Sequence, residues 1–130
     1  MSKLLARAKA KKSSADNSYK NMALDDAYTD ECCFNLQQTI EFCLKYLVEM
    51  AGSRYVENHD IRAQIKKLKQ LGKYIPCEEK LRVLASTINS WETETRYNDN
   101  FVALLEDIDE VMKMAEELIE YCEKQVNVVD

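Results

Sequence analysis

Apolar side chains recur at three- and four-residue spacing along most of the chain. The cleanest run is 99–125, where Phe101, Leu104, Leu105, Ile108, Val111, Met112, Ala115, Leu118, Ile119 and Cys122 share one stripe that points on to Val126. That period predicts an amphipathic helix. A second helix is predicted over 29–51 from Cys33, Leu36, Ile40, Cys43, Leu44, Leu47 and Ala51. Thr29 or Asp30 would cap its start, and Gly52 suits the stop, where φ is often positive. Residues 2–24 make a first helix with a break or fraying near Ser13-Ser14, so that 1–14 is its looser part. Ile61, Ile65, Leu68 and Leu71 define a third helix over 60–71, ended by Gly72. Asn58 or Asp60 would cap it. Pro76 opens a fourth, reaching Thr95 through Leu81, Leu84, Ile88 and Trp91. Residues 127–130 form a tail. The expected fold is all-α, an antiparallel up-and-down bundle of about five helices, as one domain over 1–130.

Composition narrows the alternatives. Two glycines and one proline are too few for the regular turns of a β-sandwich or barrel. A chain of 130 residues can bury about two thirds of its unfolded surface. No apolar run approaches the ~20 residues of a membrane span, and MSKLLARAKAKK lacks the apolar segment of a signal peptide. Cys32, Cys33, Cys43, Cys77 and Cys122 are odd in number and contain no CxxC. With His59 as the single histidine, no zinc-ligand spacing can be built, so neither metal nor cofactor is expected. The cysteines read as small buried hydrophobes in a reducing cytoplasm.

Charge is split along the chain, although the net is only −5. The first helix (Lys3, Arg7, Lys9, Lys11, Lys12) and the third (Arg62, Lys66, Lys67, Lys69, with Lys73 after it) are basic. The last is acidic: Glu106, Asp107, Asp109, Glu110, Glu116, Glu117, Glu120 and Glu123 against Lys113 and Lys124. Either the basic helices hold phosphates, or basic and acidic helices face one another in the bundle.

Candidate chemistry is sparse. There is no glycine-rich phosphate loop and no Ser-His-Asp or Cys-His arrangement. The stretch CCFNLQQTIEFCLKYL carries Gln37, Gln38 and Glu41 in an otherwise apolar helix. At 100° per residue from Leu36, Gln37 lies near about 100°, at the shoulder of the stripe, while Glu41, Lys45 and Gln38 lie near about 140°, 180° and 200°. These three therefore read as a polar patch away from the core, with Glu41 and Lys45 an exposed i,i+4 pair. Phe34, Phe42 and Tyr46 also leave the stripe, so the helix is apolar nearly all round and a second subunit is expected to cover it. His59, in Asn58-His59-Asp60, is either a loop residue without a role or the one candidate for acid–base work near neutral pH. Arg96, beside Tyr97, either pairs with Glu92 at i,i+4 or presents its guanidinium to a phosphate.

The order of these pieces carries a resemblance. A helix bearing CFNLQQTIEFCLKYLV, a loop ending NHDI, a basic helix, a helix ending TRYND and a long last helix together resemble the HEPN domain, the higher-eukaryote and prokaryote nucleotide-binding family. The similarity runs from about Ala15 to Val126, and the pattern around Gln37, Gln38 and Glu41 is its most specific part. It implies a helical bundle that often dimerises and commonly works beside a minimal nucleotidyltransferase in two-gene, toxin–antitoxin-like modules. Several branches are metal-independent ribonucleases with an Arg-x(4–6)-His motif at the dimer interface. Arg96 matches that arginine, but Phe101, Val102 and Ala103 stand where the histidine would fall. His59 matches a separate HD position, and Asn98 replaces a proline common in the family. The resemblance thus implies a noncatalytic cytoplasmic homodimer that binds a nucleotide, RNA or a partner nucleotidyltransferase through Gln37, Glu41, His59, Arg96 and Tyr97. The alternative is a degenerate ribonuclease acting on single-stranded RNA, since general acid–base groups are usually worth about 10²–10⁴ in rate.

Overall fold

The computed structural model describes residues 2–126, without the side chain of Val126. Five α-helices form within them: α1 (Leu4–Asn21), α2 (Asp26–Met50), α3 (Ile61–Gln70), α4 (Glu78–Tyr97) and α5 (Leu105–Val126). The expected tail at 127–130 lies outside the described residues. The fold is an all-helical bundle. No described helix is long and apolar enough to cross a membrane.

Capping chemistry explains where the helices start and stop. Asp25 is the N-cap of α2, its carboxylate accepting from the Ala27 N–H at 2.8 Å. The helix therefore begins before Thr29 and Asp30, the caps expected from sequence. Gly52 and Gly72 follow α2 and α3 with φ of 78° and 70°, the left-handed stop their positions predicted. Asp60 caps α3, accepting from the Arg62 N–H at 2.9 Å. Helix α5 starts at Leu105, not at 99, because Asn98 builds a turn. Its Oδ1 accepts the Asn100 N–H at 3.0 Å and its carbonyl accepts the Phe101 N–H at 3.1 Å. Val102, Leu104 and Leu105 are consequently 80%, 58% and 54% exposed, although the pattern placed Leu104 and Leu105 in the core.

Helix α1 runs through Ser13-Ser14 without a break. Its inner stripe is mostly small (Ala8, Ala15, Ser18), so its backbone lies close along α2. Its basic side meets the acidic side of α5: Lys12 reaches Glu116 at 3.4 Å, Lys9 reaches Glu123 at 3.2 Å, and the Tyr19 hydroxyl donates to Asp109 at 2.6 Å. Those pairings also show the two helices to be antiparallel, because residue numbers rise on one as they fall on the other. Helices α3 and α4 are antiparallel by the same test, through Lys69–Glu78 at one end and Ile61–Asn89 at the other.

Helix α2 is the centre. Each of the other four helices packs on it. Much of the second surface that covers α2 is therefore the rest of the same chain, which buries Tyr46, while Phe34 and Phe42 stay only partly buried. Around α2 the core is closed by Trp91, Ile88, Leu81, Ile108, Met114 and Leu118, all fully buried. Cys32, Cys33, Cys43 and Cys122 are buried with them.

Candidate functional site

The polar residues in the middle of α2 are buried. Gln37 is 1% exposed, Glu41 3% and Lys45 8%. The helical wheel had placed Glu41 and Lys45 on a solvated side, which holds for a helix with one wet face and fails for one enclosed by four others. Burial without partners is costly, and most of these groups find one, while the Gln37 Oε1 has no hydrogen-bond partner among the described residues. Three donors converge on the Glu41 carboxylate. Gln37 Nε2 donates to Oε2 at 2.8 Å, and Lys45 Nζ donates to Oε1 at 2.8 Å. His59 Nδ1 is 2.9 Å from the same Oε1. Lys45 also lies over the ring of Tyr55, with Nζ 4.9 Å from its centroid. The cation is thus held between a carboxylate and an aromatic face. Gln38, on the same side of α2, is only partly buried.

His59 reaches this network because the loop after α2 is pinned. Gln64, wholly buried on α3, takes both backbone groups of Val56: its Oε1 accepts the Val56 N–H at 3.1 Å and its Nε2 donates to the Val56 carbonyl at 2.6 Å. Asn58 accepts the Asp60 N–H at 3.0 Å. Asn89 on α4 donates to Asp60 at 2.7 Å and accepts the Ile61 N–H at 3.1 Å. The histidine side chain itself is 67% exposed. With Nδ1 donating to a carboxylate, Nε2 is its free ring nitrogen.

Arg96 occupies the last turn of α4. It makes no ion pair with Glu92, or with any other described acid. Its guanidinium lies over Phe34 instead, 4.5 Å from the ring centroid. Stacking on a ring leaves the N–H edges of a guanidinium able to donate. Tyr97 beside it is 79% exposed. Phe34 and Glu41 sit two turns apart on one face of α2, about 10 Å along its axis. The structure therefore brings together Gln37, Glu41 and His59, and sets Arg96 and Tyr97 at a second point of the same helix.

Sequence reasoning missed several positioning residues. Lys45 was assigned to the solvent. Gln64 had a readable signal, since it falls among Ile61, Ile65 and Leu68 at core spacing. Tyr55 and Asn89 had none, because each acts on a residue distant in the chain. Two sizeable concavities lie elsewhere, on either side of α4. One is acidic, about 590 Å³, between α4 and the start of α5. The other is basic, about 550 Å³, between α3 and α4. No cluster of His, Cys, Asp and Glu among the described residues could hold a metal ion.

A family model described as HEPN domain matches residues 1–125. Comparison with curated proteins and with solved structures gave no match.

Proposed function

The chain belongs to the HEPN family, and on that premise we propose that this nucleotide- or RNA-related module binds without cutting. Residues 1–130 then act as one unit. The observation that carries this reading is the setting of Arg96. Its guanidinium is exposed, rests on Phe34 and has no acid partner among the described residues, which suits a phosphate or a partner carboxylate. A cut would need a proton donor beside it. Phe101, Val102 and Ala103 supply none, and His59 is held at Glu41 two helical turns away.

The bound species is a nucleotide, an RNA or a partner nucleotidyltransferase of a two-gene, toxin–antitoxin-like system. The family's frequent pairing with such enzymes supports that last reading. His59, held by the buried Gln37–Glu41 pair, would form one end of the surface, and Arg96 and Tyr97 the other. A cytoplasmic setting, where thiols stay reduced, suits cysteines packed as core hydrophobes. In a thermal-shift panel of nucleotides and short RNAs, the wild type should be stabilised and Arg96→Ala should lose that shift. A wild type that responds to no nucleotide or RNA and captures no nucleotidyltransferase would remove this reading.

Self-association is supported chiefly by the segment after α4. HEPN domains commonly dimerise, and here Tyr97, Val102, Leu104 and Leu105 leave an apolar strip open beside Arg96. Burying one such side chain is worth about 1.5–3 kcal/mol. The double variant Val102→Glu/Leu105→Glu should therefore weaken dimerisation by about tenfold or more while keeping the monomer folded. Sedimentation over a concentration series measures this. A dimer of unchanged strength excludes the strip as its interface.

One contact favours the ribonuclease alternative. A histidine whose Nδ1 donates to a buried carboxylate and whose Nε2 is free is arranged for proton transfer. It would have to meet Arg96 of a second copy. Cleavage of single-stranded RNA that disappears in both His59→Ala and Arg96→Ala would establish this reading, and an inactive wild type would dismiss it.

A further inference from the structure

The two basic helices have different fates. On α1, Lys9 and Lys12 are answered by Glu123 and Glu116 of α5. Helix α3 has no such cover. Its Arg62, Lys66 and Lys69, with Gln70 and with Arg82 from α4, line a groove of about 550 Å³ over Ile65. A single carboxylate reaches the two helices there. Glu78 accepts from Arg82 Nε at 2.9 Å and pairs with Lys69 Nζ at 3.1 Å. Those two bonds hold its carboxyl below the ordinary value, Arg82 being the stronger cause. Glu78 thus stays charged and anchors Lys69 and Arg82, while Arg62 and Lys66 are exposed and form no ion pair among the described residues.

We propose that this groove docks the phosphate backbone of a single-stranded RNA, at a point about 20 Å along α4 from Arg96. The inference rests on the reading of the chain as an RNA-related HEPN module and adds a surface to it. Spacing selects a strand over a lone phosphate. From Arg62 to Lys69 the cations are strung over about 10 Å of helix axis. A single phosphate is held by donors that converge, as at a glycine-rich loop or helix N-terminus, whereas a row of cations matches a repeating anion. The net acidity of the chain disfavours a stiff duplex, while one flexible strand can follow the groove. No aromatic ring lines it, so the contact reads backbone and not base.

The test is fluorescence anisotropy of a labelled oligouridine against the full chain over a series of KCl concentrations. Each phosphate contact on a single strand contributes about 0.7 to the slope of log affinity against log salt. Arg62→Gln/Lys66→Gln should lower that slope by about 1.4 and weaken binding about 25-fold near 0.1 M salt. Both side chains are exposed, and an unchanged helical circular dichroism spectrum confirms the fold. If the double variant binds as the wild type does while Arg96→Ala does not, the groove is excluded and the proposed function stands. Binding of mononucleotides without any binding of oligouridine has the same meaning. A wild type that binds neither overturns both. Polyglutamate of matched length binding as tightly as RNA, with the same loss in the double variant, would make this a surface for an acidic protein. Competition by inorganic phosphate at equal phosphate concentration would make it a single-anion pocket. Either result overturns the strand.

Discussion

Replacing Glu41 with alanine should cost about 3–5 kcal/mol of folding stability. The carboxylate is the common acceptor for Gln37, Lys45 and His59. Without it, the Lys45 ammonium is left 8% exposed with only the Tyr55 ring against it. An ammonium in that position loses hydration and gains no counter-charge. Removing both charges behaves differently. Glu41→Leu/Lys45→Met keeps similar volume and strands no ion, so it should return to within about 1.5 kcal/mol of the wild type. Urea unfolding of the two single variants and the double variant, read as midpoint shifts at constant m, measures the coupling. A loss below about 1 kcal/mol for Glu41→Ala would mean that the pair behaves as a screened surface contact.

Stability should also fall steeply above pH 9. Burial raises the Cys32 thiol to about 12. Burial raises Cys33 further still, with Cys32 adding to it. A side-chain hydrogen bond with Cys122 and then burial raise Cys43 well above the ordinary value. Below the ordinary thiol value near 9.0, these groups are protonated in both states and have no effect on the balance. Above it, the unfolded chain releases protons that the folded chain retains, so unfolding is favoured. The slope is about 1.4 kcal/mol per pH unit for each thiol, or about 4 for the three between roughly pH 10 and 12. Tyr19, raised by its hydrogen bond to Asp109, acts in the same direction. Two pH units at that slope remove about 8 kcal/mol, enough to unfold a domain in the lower part of the usual range of roughly 5–15 kcal/mol. Urea midpoints in reductant at stepped pH test this, and a Cys32→Ala/Cys33→Ala variant should have a shallower slope. Stability that stays level to pH 11 would show that the thiols ionise inside the fold.

The parts of the site that were legible in sequence are those built by local rules. Asp60 before Ile61 was readable as a cap, and Gly52 and Gly72 as helix stops, because those signals act within one turn. The start of α5 was misplaced although its periodicity was correct. Phe101 and Leu104 continue the apolar pattern, but the Asn98 turn keeps them out of the helix, which begins at Leu105. Arg96 was singled out from sequence as a candidate, yet its partner in the fold is not Glu92 four residues back. It is Phe34, from another helix, and no spacing rule connects the two.

By itself the sequence determined that this chain is helical, where most helices lie, that it resembles a HEPN domain and that the ribonuclease histidine is missing from its place after Arg96. Those follow from periodicity, caps and motif spacing, which are properties of neighbours along a chain. Only the tertiary structure decided that the other four helices enclose most of α2, leaving a partly exposed stripe at Phe34, Gln38 and Phe42. That enclosure turned Glu41 and Lys45 from a wet surface pair into a buried ion pair, brought His59 to it, and paired the basic α1 with α5 while leaving the basic side of α3 open. A helical wheel assigns directions, but whether a direction faces water depends on how many other helices arrive there.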